Sequence, residues 1–216
     1  KENNEFTKKF SLISNARVIW GGNETINNLR NFRINERAFD ITFADRYSFC
    51  IINQSKLEKI SNFEFKNLIQ RFYNDTYAVD QNACSSPHLV IWQGKNLSKI
   101  RDKFWVKLYD LVKKKYEFSD SAHVEKYADL CKYAANLEHI KKIKTYENLI
   151  YRIELNKLDI NNHNNRGKQG LFFEHHIKDL NKINHIINNK YQTLTYFGIN
   201  KDILKQFVLK NNLKGI

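Results

Sequence analysis

Ala16–Glu24, ARVIWGGNE, is the stretch on which the fold turns. A short run rich in β-branched and aromatic residues ends in Gly21-Gly22, and the residues that follow place Ile26 and Leu29 at helical spacing. The pattern predicts a strand, a glycine turn and a helix. Working outward, Tyr47–Ile52 is a second apolar run reached through the polar link Arg33–Asp40, so residues 16–52 read as one β-α-β unit. Phe63, Leu68 and Phe72 predict a helix, Asn74–Pro87 a polar loop, and Leu89–Trp92 a buried strand. Ser98–Lys115 predicts the longest helix, with Ser98 as its N-cap, and a further helix is expected over Val124–Asn136. A strand over Leu149–Leu155 precedes the Asn/His-rich loop Asn161–Gly170. Leu171–Phe173 and Gln192–Tyr196 read as strands around a helix at Leu180–Asn189, and Lys201–Lys210 as a last helix. Strands alternating with helices imply an α/β fold with a mainly parallel sheet and flanking helices.

Composition narrows the class. Of 216 residues, 42% are hydrophobic and 13% aromatic, which excludes a disordered chain. No apolar run reaches the length of a membrane span, and Lys1–Phe10 lacks the apolar core of a signal peptide, so a cytoplasmic protein is expected. The net charge of +13 admits a polyanion-binding surface. Its lysines are spread with Asn and Ile along the whole chain, as the codon bias of an AT-rich genome would produce, and the densest runs, Lys113–Lys115 and Lys141–Lys144, adjoin helical patterns whose outer faces are polar in any case. A solvated surface is therefore expected rather than a nucleic-acid interface. The chain contains no methionine, even at position 1, and Leu213–Ile216 carries no cap or charged tail; it reads as an internal piece of a longer protein.

Three cysteines cannot pair fully, so free thiols are expected. Cys84, in Asp80–Pro87 (DQNACSSP), is carried by a polar loop to the start of a buried strand, where a thiol can be both reachable and held. The alternative is a small buried cysteine packed as a hydrophobe. Cys50, in an apolar strand pattern, and Cys131, on a helix, are expected to pack in the core. Gly21-Gly22 permits either a tight turn or close backbone approach by a ligand at a helix start. Glu24 suits the helix dipole, and Asp45 beside Arg46 reads as structural or as an acid–base group. His88, four residues after Cys84, is expected to pack or to face solvent. Glu174-His175-His176, with His163 and His185, shows no closed ligand spacing, and no metal is expected.

Phe72–Trp92, FYNDTYAVDQNACSSPHLVIW, resembles the nucleophile segment of the LuxC-type, bioluminescence-type fatty acyl-CoA reductases of the aldehyde dehydrogenase superfamily. ARVIWGG followed by ITFADRYSFCII is similar to the family's pattern upstream of that cysteine, and Tyr191–Ile199, YQTLTYFGI, resembles a late catalytic-domain strand. The resemblance implies an aldehyde-dehydrogenase-like partial chain. Residues 1–48 would be the end of a Rossmann-like cofactor domain, and residues 49–216 a catalytic domain truncated at its end. It further implies that Cys84 is the acyl-accepting nucleophile and that Gly21 and Gly22 lie beside NADPH. The substrate would be a long-chain acyl-CoA or acyl-protein thioester, with a fatty-acid-activating acyl-protein synthetase and further copies of the chain as partners. Phe43–Ser48 lacks the Glu-Leu-Gly-Gly-Lys stretch that oxidising relatives use to activate a hydrolytic water, which agrees with a reductase. A short-chain CoA-acylating aldehyde dehydrogenase and a noncatalytic basic interaction module are the competing readings.

Overall fold

The computed structural model describes residues 4–117 and 119–210 and divides the chain into two compact units, Lys1–Arg46 and Tyr47–Ile216. In the first, α1 (Asn4–Ile13) precedes β1 (Ala16–Trp20), α2 (Asn23–Arg30) and β2 (Phe39–Phe43). The sequence reading joined β1 to Tyr47–Ile52. The strand that pairs with β1 is instead β2, in parallel from Ala16↔Phe39 to Trp20↔Phe43, so the β-α-β unit closes at residue 43. FDITF alternates, with Phe39, Ile41 and Phe43 facing outward, and it lacks the apolar run that marks the buried strands. Arg17 clamps this unit. Its guanidinium donates to the Asp40 carboxylate at 2.7 and 2.8 Å and to the Leu29 carbonyl at 2.9 Å, tying β1, β2 and the end of α2 together.

The second unit is a six-stranded sheet, ordered β5-β6-β7-β4-β3-β8, with helices on both faces. Its strands are β3 (Tyr47–Asn53), β4 (Pro87–Gln93), β5 (Ile140–Tyr146), β6 (Ile150–Leu155), β7 (Leu171–Ile177) and β8 (Tyr191–Phe197). All pairings are parallel except β5 with β6. Because successive residues of a strand point to opposite faces, β3 gives Phe49 and Ile51 to one core and Cys50 and Ile52 to the other. The first core is closed by α6 (Asp120–Asn136) and α7 (Lys201–Lys210), the second by α3 (Gln54–Lys59), α4 (Asn62–Thr76) and α5 (Ser98–Lys115).

Several helices differ in detail from the sequence expectation. α4 buries Phe65, Ile69 and Phe72, while Phe63 is 73% exposed; its start is set by a capping box between Ser61 and Glu64. The N-cap of α5 is Leu97, and Ser98 is already helical, so Ser98 caps nothing. α6 begins at Asp120, capped by Ser119, and buries Ala122, Lys126 and Leu130 at four-residue spacing. Cys131 lies one position, about 100° of helix, away from Leu130. It is exposed rather than packed in the core. Residues Leu180–Ile186 form a 3₁₀ helix instead of the expected α-helix. β5 went unread because its lysines, IKKIKTY, mask the strand pattern; they suit an edge strand, where charge discourages further pairing.

Candidate active site

Cys84 sits in the turn between α4 and β4, with its side chain exposed. After α4 and a 3₁₀ turn at Tyr77–Val79, the chain reverses through Asp80 and Gln81, both with positive φ (53° and 60°). Such left-handed non-glycine residues persist only where the surroundings hold them. Here the restraint is the buried Gln81 amide, whose Nε2 donates to the Pro87 and Leu171 carbonyls at 3.0 and 3.1 Å and whose Oε1 accepts from Gly170 N–H at 3.1 Å. Further along, Ser86 Oγ donates to the Asp75 carbonyl at 2.7 Å, and Ser48 Oγ, fully buried on β3, donates to the Cys84 carbonyl at 2.6 Å. The backbone at Cys84 is thus fastened to the sheet while its thiol faces solvent. Gln192 Nε2, on β8, lies 3.5 Å from Cys84 Sγ. Among the described residues the Cys84 backbone N–H has no hydrogen-bond partner, leaving a donor beside the thiol. Chemically, the arrangement is an accessible sulfur nucleophile on a rigid base with amide donors at hand.

Sequence reasoning found Cys84 but not Ser48 or Gln192. They lie 36 and 108 residues away, and only strand register brings them to the thiol.

In the first unit, Gly22 is the N-cap of α2, with φ −66° and ψ 164° and no side-chain cap. Neither Gly21 nor Gly22 has a positive φ, so turn geometry does not demand glycine. Space does: a Cβ on Gly21 would lie 3.1 Å from the Thr25 side chain, and one on Gly22 would lie 3.1 Å from Asp45 Oδ2. Glu24 adds a second carboxylate in the first helical turn. Two carboxylates at a helix start repel phosphate, whereas glycine backbone lets a ligand's hydroxyl or amide group approach closely. The residues present therefore fit the ribose or nicotinamide portion of a dinucleotide better than its pyrophosphate.

Residues 1–159 match the family model for acyl-CoA reductase (LuxC). The chain belongs to this family. Solved structures agree in fold. Betaine aldehyde dehydrogenase from Staphylococcus aureus, in complex with NAD+, superposes with a TM-score of 0.61 at 16% identity, covering 99% of this chain and 45% of that one. Aldehyde dehydrogenase 21 from Physcomitrella patens, in complex with the reaction product succinate, gives 0.62 at 13% identity, with 98% and 45% covered. Proline utilization A from Bradyrhizobium japonicum gives 0.65 at 10%, with 96% and 23% covered. At these identities the likeness is one of fold, and it is the aldehyde dehydrogenase fold expected from the sequence. The chain spans less than half the length of these structures. No curated protein matches.

The other polar residues of this LuxC family member divide clearly. Cys50 is buried, and desolvation pushes its thiol up to about 12, so it is not a nucleophile at neutral pH. His88 is buried, its Nδ1–H donating to the Gly167 carbonyl at 3.0 Å and its ring 5.4 Å from that of Tyr47. Burial, reinforced by the positive charge of Arg166, lowers it to about 4, leaving a neutral packing group rather than a base for Cys84. His163, His175, His176 and His185 each bond a backbone carbonyl. Among the described residues no three His, Cys, Asp or Glu side chains gather at metal-binding distance, and no helix is long and apolar enough to cross a membrane.

Proposed function

We propose that the protein to which this chain belongs is a cytoplasmic, NADPH-dependent reductase that converts a long-chain acyl-CoA or acyl-protein thioester to the aldehyde through an acyl-Cys84 intermediate. The observation that carries this reading is the exposed Cys84 thiol on a turn fastened from beneath by Ser48, Gln81 and Ser86, in a chain of the acyl-CoA reductase family. Residues 1–48 are read as the end of the cofactor domain and residues 49–216 as the catalytic domain, with Gly21 and Gly22 holding the cofactor. The Cys84 thiolate attacks the thioester carbonyl and forms a new C–S bond; the bond to CoA then breaks and CoA leaves as its thiolate. The Cys84 N–H donates to the oxyanion that develops between these events. NADPH, when bound, supplies the hydride for the acyl carbon. The Sγ–C bond of the resulting thiohemiacetal then breaks, the hydroxyl proton passes to solvent, and the aldehyde departs from a regenerated thiolate. His88 is buried and neutral, and Phe43–Ser48 carries no glutamate in the oxidising enzymes' motif, so neither primes water to hydrolyse the intermediate. An acyl-protein synthetase as donor and a homo-oligomer as the working form belong to the same proposal.

The test is intact mass after incubating the full-length protein with a long-chain acyl-CoA in the absence of NADPH. An adduct that needs Cys84, is absent from Cys84→Ala and disappears as aldehyde forms on adding NADPH supports the proposal. No adduct with any acyl length refutes it, and an adduct restricted to short chains favours a CoA-acylating aldehyde dehydrogenase.

A further inference from the structure

The end of the sheet beneath Cys84 is irregular on both sides of β3. Toward β8 the register runs Tyr47↔Tyr191 and then Ser48↔Thr193, which leaves Gln192 as an inserted residue. Toward β4 it runs Ser48↔Pro87 and then Phe49↔Leu89, which leaves His88 inserted. Both insertions fall at the level of Ser48, whose hydroxyl holds the Cys84 carbonyl. An inserted residue breaks the pleat and re-aims a side chain. The His88 ring is turned into the protein. Gln192 is turned out, and its carboxamide N–H is delivered to the Cys84 sulfur at 3.5 Å. The bulge also lets Tyr191 and Leu194 pack into the same core although an even alternation would separate them, so its cost is offset by burial.

We infer that Gln192 is a catalytic hydrogen-bond donor to the Cys84 sulfur. This rests on the reading of Cys84 as the nucleophile and assigns the side chain that holds its anionic form. The Nε2 amide donates to a thiolate more strongly than to a thiol, because charge-assisted hydrogen bonds are the stronger kind. The consequence differs between the two halves of the reaction. Stabilising the anion raises the thiolate fraction but blunts each thiolate, since nucleophilicity falls with basicity at a Brønsted slope of about 0.4–0.5. In the second half the same sulfur is the leaving group, and a less basic sulfur leaves faster. Gln192 therefore favours release of aldehyde more than capture of the acyl group. A carboxamide also has no titrating proton at neutral pH and cannot act as a base toward water.

The experiment is the pH dependence of Cys84 alkylation by iodoacetamide in the full-length protein, read by mass of the Cys84 peptide so that the exposed Cys131 does not interfere. Gln192→Leu is expected to move the midpoint of the profile up by about one unit, the shift expected for a lost hydrogen bond to a charged group at an exposed site. With the Brønsted slope above, the rate at pH 7 falls about threefold while the high-pH plateau rises about threefold, so the two profiles cross. Gln192→Glu is expected to move the midpoint further in the same direction. Superimposable profiles overturn the inference, and so does a uniform loss of rate at an unchanged midpoint, which is what a merely displaced loop would produce. Alkylation needs no acyl donor. A shifted profile together with an acyl adduct that survives Cys84→Ala would sink the proposed function and leave the Gln192–Cys84 contact standing.

Discussion

Glu174→Gln should destabilise the larger unit far more than its size suggests. Glu174 lies on β7 with its side chain 2% exposed, ringed by donors. Oε2 accepts from Trp92 Nε1 at 2.6 Å, Trp105 Nε1 at 2.9 Å and Arg152 Nη2 at 3.2 Å; Oε1 accepts from Arg152 Nε at 2.7 Å. A carboxamide has one accepting oxygen. Whichever way it turns, its NH₂ meets either the Arg152 Nε–H or the two indole N–H groups, and at least one buried donor is left without an acceptor. Arg152 simultaneously loses the counter-charge it holds in an apolar layer, keeping Asp102 at 3.1 Å and Tyr146 at 3.0 Å. Breaking a buried pair costs roughly 3–5 kcal/mol, and with Asp102 retained the lower figure, about 3 kcal/mol, applies. At roughly 2–4 °C per kcal/mol for a unit of this size, the unfolding midpoint should fall by about 6–12 °C. The assay is calorimetry or denaturant unfolding of the full-length protein. A Glu174→Gln variant within about 1 kcal/mol of native would refute the argument.

Three further expectations follow from the same geometry. His88 is held near 4 in the folded chain against an ordinary value near 6.5. The unfolded chain therefore binds the extra proton first as pH drops: stability from this group is intact above about pH 6.5 and is lost as pH falls toward 4. Between pH 6.5 and 5 that loss is about 2 kcal/mol at ~1.4 kcal/mol per unit; it should be absent from the stability–pH curve of His88→Gln, and an unchanged slope would contradict the assignment. In the native protein iodoacetamide should modify Cys84 and Cys131 and spare Cys50, and peptide masses showing Cys50 labelled as fast as Cys84 would overturn the buried placement. Gly22→Ala places a methyl group 3.1 Å from Asp45 Oδ2, and it is expected to weaken NADPH binding by the full-length protein about tenfold, equivalent to ~1.4 kcal/mol, with Cys84 alkylation unaffected. Fluorescence titration showing native affinity would remove Gly22 from the cofactor site.

How much was legible in the residues depends on where each signal resides. β1, α2, β4, α5, β6 and α7 were read closely because each carries its own periodicity and punctuation, as in ARVIWGG or the 18-residue helix beginning at Ser98. β2 and β5 were missed because one wears its apolar residues outward and the other is studded with lysine. Cys131 is exposed against expectation because helical spacing alone does not say which face is covered; α6 packs through Ala122, Lys126 and Leu130.

By itself, the sequence determined the α/β class, the family and the candidate cysteine on its turn, because strand and helix periods and a cysteine-bearing polar loop are local properties of consecutive residues. Tertiary structure alone decided what surrounds that cysteine. The Ser48 hydroxyl under its carbonyl, the Gln81 amide bracing the turn and the Gln192 amide at its sulfur all depend on strand order and on two one-residue bulges. Register is fixed by burial on both faces of the sheet, a balance summed over many side chains that no single segment encodes.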